Sequence, residues 1–149
     1  MARLRLLTSL ILFAGFLTAQ GDVVRLQDVR RIYVASLGNG EGAEVIRGKV
    51  INYLVKSGRV EVVESEDQAD AILTGGSQIS KSTYYSATTT TASGGTKEHA
   101  TAGVRLIGKS SRILWVDDAS NGIFAWSATS SLAERIAKDL LKAIFNGRK

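Results

Sequence analysis

The sequence predicts an α+β domain, a two-layer sandwich in which a mainly antiparallel sheet of about five strands carries two amphipathic helices on one face. Three observations point there. Two stretches, about 41–57 and 130–145, repeat apolar residues at spacings of three and four, the period that stacks side chains on one helical face. Several short runs are rich in β-branched residues or alternate apolar with polar. The predicted helices do not alternate with strands throughout, as they would in a doubly wound fold; a series of strands separates them.

The elements follow in order. Asp22–Val29 is a short lead-in, read as an edge strand. Ile32–Leu37 is a compact apolar run and a central strand, broken by Gly38-Asn39-Gly40. The first helix spans about Glu41 to Ser57, with Ala43, Ile46, Val50 and Tyr53/Leu54 on one face. Glu41 and Glu44 suit its positive end, Lys56 its negative end, and Gly58 its termination. Arg59–Glu64 alternates and reads as a strand; Ser65–Gln68 is a polar turn; Ala69–Gly76 opens the next strand.

A Thr/Ser/Gly-rich hairpin follows at about 80–97, with Tyr84 and Tyr85 its only large residues. The prediction is two extended arms with Ala92-Ser93-Gly94-Gly95 at or near a mobile tip. Ala100, Ala102, Val104 and Leu106 mark the returning strand. Ile113–Val116 begins another hairpin, Asp117–Gly122 its turn with Asn121-Gly122 as the signal, and Ile123–Trp126 its second arm. The last helix runs from about Ser130 or Ser131 to Phe145. It opens on a Ser131-x-x-Glu134 capping box, carries a stripe of Ala133, Ile136, Ala137, Leu140, Leu141 and Ile144, and stops at Asn146-Gly147.

Residues 1–19 read as a cleavable signal peptide. Arg3 and Arg5 form the basic region, Leu6–Leu17 the apolar region, and Ala19 the small residue before the cut. An apolar run of about a dozen residues is shorter than the ~20 that span a bilayer as a helix. Residues 20–149 are then one exported domain, periplasmic or secreted, with no stable transmembrane segment after cleavage. Cleavage lowers the basic residues from 19 to 17 against 14 acidic ones, so the net charge falls from +5 to +3. That charge is no nucleic-acid footprint. The sequence holds no cysteine, which excludes disulfides, thiolate metal sites, cysteine nucleophiles and the cysteine that would carry a lipoprotein's lipid. About 130 residues bury enough surface to fold without such staples.

No catalytic, metal or cofactor site emerges. His99 is the single histidine, out of phase with Ala100 and Ala102, and reads as an exposed strand residue. Asp117 and Asp118 near Asn121-Gly122 suggest turn chemistry; no glutamate follows at calcium-loop spacing. Gly38, Gly40 and Gly42 alternate and miss the G-x-G-x-x-G spacing of a phosphate loop. Arg135, Lys138, Lys142 and Lys149 form a solvated helix face. Trp115, Phe124 and Trp126 fall in one predicted hairpin, where cross-strand packing is the ordinary role of aromatics. The candidate partner-binding residues are Tyr84, Tyr85, Trp115 and Trp126.

The strand Arg31–Leu37, the helix, the run Ser57-Gly58-Arg59-Val60-Glu61-Val62-Val63-Glu64 and then Ala69-Asp70-Ala71-Ile72-Leu73-Thr74-Gly75-Gly76 resemble a group of bacterial envelope proteins. The group includes the curli-secretion lipoproteins and the lipoprotein activators of penicillin-binding proteins. Gly108–Trp126 followed by a terminal amphipathic helix also fits, so the resemblance covers about residues 30–145. It implies a non-enzymatic protein that binds envelope proteins or associates with itself. This chain departs from the group in lacking the lipoprotein cysteine and the long extra hairpins of a pore-forming relative. Two other functions compete: a lipid- or glycan-binding periplasmic domain, resting on the aromatics, and a carboxylate-dependent hydrolase using Asp117 and Asp118.

Overall fold

The structure is a computed structural model that describes residues 25–40, 42–124 and 128–146. The predicted signal peptide and Trp126 lie outside the described residues. Among the described residues five strands form one sheet: β1 (Arg31–Val34), β2 (Glu61–Val63), β3 (Ala71–Ala87), β4 (Ala92–Gly108) and β5 (Ile113–Phe124). Two helices cover it, α1 (Ala43–Ser57) and α2 (Ala128–Asn146). The strand order is β2-β1-β3-β4-β5. β1 lies parallel to both β2 and β3, whereas β4 is antiparallel to β3 and to β5. The sheet is therefore mixed. Its parallel pairs are three residues long and its antiparallel pairs far longer, which gives the sheet the antiparallel character the alternation foretold.

One face of the sheet meets both helices in a single core. Ile32 and Val34 of β1, Ala71 and Leu73 of β3, and Ala100, Ala102, Val104 and Leu106 of β4 are buried together with Ile46, Val50 and Leu54 of α1 and Leu132, Ile136, Leu140 and Ile144 of α2. The alanines on β4 and on α2 (Ala133, Ala137) are small enough to let helix and sheet approach closely. α1 ends as expected: Gly58 takes a left-handed conformation, φ +61°, and its N–H bonds Val55 O.

Several boundaries differ from the sequence reading. The lead-in, over its described part, is a single 3₁₀ turn, Leu26–Asp28, with Val29 buried beneath it. α1 begins at Ala43, after Gly42 at φ +83°. α2 begins at Ala128, because Ala128 and Thr129 continue its buried stripe; Ser131 is thereby inside the helix and is no cap.

The larger correction concerns Asn121-Gly122. β5 runs through it unbroken, with Ala100 opposite Asn121 and His99 opposite Gly122. Continuous pairing with β4 overrides a local turn preference. The reversal lies instead between β4 and β5, where Gly108 N–H bonds Arg112 O at 2.9 Å and Ser111 takes φ 58°.

The tip of the Thr-rich hairpin is also displaced. Thr88 N–H and its hydroxyl both donate to Thr91 O, so the reversal is Thr88–Thr91. Ala92–Gly95 belong to β4, paired with Tyr84–Ala87. The tyrosines give the reason. A Cβ on Gly95 would meet Tyr84 Oη at 2.8 Å, and one on Gly94 would meet the Tyr85 ring at 3.0 Å. Each ring occupies the space its cross-strand glycine leaves empty, which pins a register that glycine alone would leave loose.

Candidate functional site

The sheet's second face has no layer over it among the described residues, and the register sorts its side chains into rows. Val63, Tyr33, Ile72, Ile107 and Ile113 are consecutive Cα partners, one from each strand, so an apolar row crosses the whole sheet near its end. Tyr33, Val63, Ile72 and Ile107 are half-buried there, and Ile113 is 53 % exposed. The next row is Thr74, Arg105 and Val116, the last 59 % exposed.

A trough follows. Gly76 and Gly103 are partners, and Gly103 is the partner of Asp118. With no side chain at two adjacent positions, the backbone is bare over a shallow cavity of about 490 Å³ whose far wall is Gln78, Thr101 and Ser120. Asp118 leans across it: a Cβ on Gly103 would lie 2.9 Å from Asp118 Oδ1. The trough presents polar groups on a bare backbone and no aromatic.

Beyond it β3 and β4 leave the helices behind. From Ser80 to Ala87 every residue of β3 is exposed, and β4 buries nothing before Ala100. β5 accompanies β4 as far as the Phe124–Lys97 pair; past that, among the described residues, the ribbon has two strands. At roughly 3.3 Å per residue, the eight residues from Ser80 to Ala87 carry it about 26 Å from the core. Tyr84 and Tyr85, as neighbours on a strand, point to opposite faces. Tyr85 is 87 % exposed, and Lys97 Nζ stands 5.1 Å from the centre of the Tyr84 ring.

The other predicted residues fall elsewhere. Trp115 is opposite Leu106 on the helix side of β5 and packs half-buried against the core, so it does not join the tyrosines. Asp117 and Asp118 are adjacent in β5 and therefore face opposite ways. Asp117 is the partner of buried Val104, and its Oδ2 is buried with no hydrogen bond among the described residues; Asp118 is exposed over the trough. The two carboxylates cannot flank one substrate. His99 is exposed, between Ser80 and Gly122 in register. The glycine loop before α1 is closed by its neighbour strand. Ser77 N–H and its hydroxyl both donate to Leu37 O, at 2.6 and 3.0 Å, and a Cβ on Gly40 would lie 3.1 Å from Ser77 O. Arg135 and Lys138 of α2 pair with Asp139 and Glu134 on the helix's outer face. Among the described residues no three His, Asp or Glu side chains gather as metal ligands, and no helix is long and apolar enough to cross a membrane.

The apolar row and the trough escaped the sequence reading. Each depends on which strands are neighbours, and β1 and β2 join β3 by parallel crossovers that leave no local trace. The one available signal was the Gly75-Gly76 pair, whose paired glycine is 27 residues further along.

No known family's sequence profile matches the chain, and no curated protein sequence matches it. Solved structures do. The PelC dodecamer of Paraburkholderia phytofirmans superposes with a TM-score of 0.51 at 17 % identity, over 81 % of this chain and 90 % of that one. A single-substitution variant of it in a second crystal form gives 0.50 at 15 %, over 77 % and 86 %. Uncharacterized lipoprotein B of Nitrosomonas europaea gives 0.48 at 10 %, over 83 % and 90 %. At these identities the likeness to PelC is one of fold.

Proposed function

We propose that the chain is an exported, non-catalytic assembly module of the bacterial cell envelope, which works by binding other proteins, copies of itself included, through its sheet. One observation carries this reading: a five-stranded sheet with helices on one face keeps an apolar row across the other and sends a long open-edged ribbon past its core. Apolar surface on a small soluble domain marks contact with something. An open strand edge offers backbone donors and acceptors that a partner strand can use without sequence matching. The basic-apolar-small leader supplies the exported location. The fold shared with PelC, solved as a dodecamer, supports assembly as a use of this architecture. Tyr84 and Tyr85 are the ribbon's anchors in this reading.

The test is crosslinking of the mature chain in envelope extracts from its own host, followed by identification of what is captured. Recovery of envelope proteins or of crosslinked copies of the chain is expected. Recovery of neither, or turnover of a panel of hydrolase substrates by the purified chain, overturns the reading.

A further inference from the structure

The two strands that end the sheet are alike in a way the fold does not require. β2 and β5 have no strand on their outer edges among the described residues. They also sit at the same height. Val63 on one edge and Ile113 on the other close the two ends of the same five-strand row. β2, β1 and β3 run one way, β4 the other, and β5 again with β2. A β5 edge laid against a β2 edge would therefore form another parallel pair, like those the sheet already has at β1.

The surfaces at the two edges are complementary. Beside β2, Ile51, Val55 and Val62 with Val34 line a groove of about 480 Å³ that Arg47 and Glu64 also border, and Val55 of α1 is 57 % exposed above it. β5 presents Ile113 and Val116, both more than half exposed, on one side. On its other side it presents half-buried Trp115, level in register with Leu106, Leu73 and Val34, at the height of that groove. Charge follows the same division. Exposed Glu61 lies on β2 and exposed Glu64 just past its end, with Glu66 and Asp67 in the turn that follows, whereas exposed Lys109 and Arg112 flank the start of β5. None of these six makes an ion pair within the described residues.

From this geometry we infer that copies of the chain join head to tail, the β5 edge of one against the β2 edge of the next. The row ending at Ile113 then continues into Val63 of the neighbour, Trp115 and its flanking residues cover the groove at Val55, and Arg112 meets the glutamates. Such a contact uses different surfaces on its two sides, so it repeats, and it ends in a closed ring or a filament according to the angle between copies. The inference rests on the assembly reading above and names the partner as a second copy.

Complementary blocked ends test it, using the mature chain in native mass spectrometry and light scattering. Arg112→Glu with Ile113→Asp blocks the β5 edge; Glu61→Lys with Val63→Asp blocks the β2 edge. All four residues are exposed or half-exposed, and a matching melting temperature and circular dichroism spectrum confirm that each variant folds. The expected result is an oligomeric wild type that high salt dissociates, two monomeric variants, and a one-to-one dimer when the variants are mixed, since one open end of each remains. A single exposed-site control, Lys142→Ala on α2, leaves the wild-type mass. An oligomer that survives both blocks, or variants that stay monomeric on mixing, overturns the head-to-tail contact. A wild-type chain that is monomeric yet crosslinks to other envelope proteins also overturns it, while the broader assembly reading stands.

Discussion

Asp70 is fastened to Arg31 by two bonds at once, one to its backbone and one to its side chain. Asp70 Oδ2 accepts the Arg31 N–H at 2.9 Å and the Arg30 N–H at 3.1 Å, and Oδ1 accepts Arg31 Nη2 at 2.9 Å. The carboxylate thus clamps the entry of β3 to the start of β1 at the parallel pair, where three residues of register leave little else to hold the strands. Burial alone would raise the Asp70 pKa. The bonds from the Arg31 and Arg30 backbones and from the Arg31 side chain, with the charge of Arg31, outweigh that and hold it below the ordinary aspartate value.

The sign follows from the depressed pKa. The clamp contributes in full above the unfolded aspartate pKa of about 3.9 and is lost as pH falls through the lower folded value. Asp70→Asn should destabilise at neutral pH by about 1–2 kcal/mol, the scale of a charge-assisted hydrogen bond, since Arg31 is nearly half exposed. Urea melts at pH 7 and pH 3 check it: the gap between wild type and variant should narrow at the lower pH.

The stripe on α2 gives a second expectation. Ile136 and Leu140 are fully buried, whereas Lys138 between them is exposed and paired with Glu134. Leu140→Ala or Ile136→Ala should cost about 2–5 kcal/mol, and Lys138→Ala under about 0.5. Thermal or urea unfolding that returns the reverse order would mean the helix faces the sheet differently.

Gly75 and Gly76 are neighbours with different tolerances. A Cβ on Gly75 would lie 2.1 Å from Gly103 O and 2.8 Å from Val104 Cα, both backbone atoms that cannot step aside alone; a Cβ on Gly76 meets nothing within 4 Å. Gly75→Ala should therefore lose about 1–3 kcal/mol, the range for overpacking, while Gly76→Ala stays near neutral. Equal melting temperatures for the two variants would contradict the register of β3 on β4.

The ribbon can be shortened without touching the core. Ser86 and Ser93 are partners, so deleting 86–93 and joining Tyr85 to Gly94 by an Asn-Gly turn removes whole pairs. The melting temperature should change little. Crosslinked capture of partner proteins should fall, and unchanged capture would show that the ribbon's outer end takes no part in binding.

Export has its own measurement. N-terminal sequencing of the chain recovered outside the cytoplasm should begin at or near Gln20, and a product still starting at Met1 inside the cell would remove the compartment on which the proposed function stands.

Much of the architecture was legible because it is local. The stripe Ile136-Leu140-Ile144 repeats at helical spacing, and Ala100-Ala102-Val104-Leu106 alternates as a half-buried strand must. The predicted helices and core strands are accordingly present, two residues or so adrift at their ends. The errors arose where pairing competes with propensity. Asn121-Gly122 favours a turn by itself, yet eleven paired positions with β4 hold it extended. Gly94-Gly95 favours a mobile tip, yet two tyrosines across the ribbon fix it in a strand.

Periodicity along the chain reports which face of an element is apolar, and on that basis the sequence alone determined the α+β class, the helix faces and the strand alternation. Only the tertiary structure decided which strands are neighbours. That choice placed Val63, Tyr33, Ile72, Ile107 and Ile113 in one row, though 80 positions separate the first and last in the chain. It opened the trough at Gly76 and Gly103, turned Asp117 and Asp118 to opposite faces, and left β2 and β5 as the edges of the sheet among the described residues. The physical reason is that hydrophobic burial is non-directional and satisfied by many pairings, whereas the parallel contacts of β1 are set by crossovers and by the Asp70–Arg31 clamp, between residues far apart in sequence.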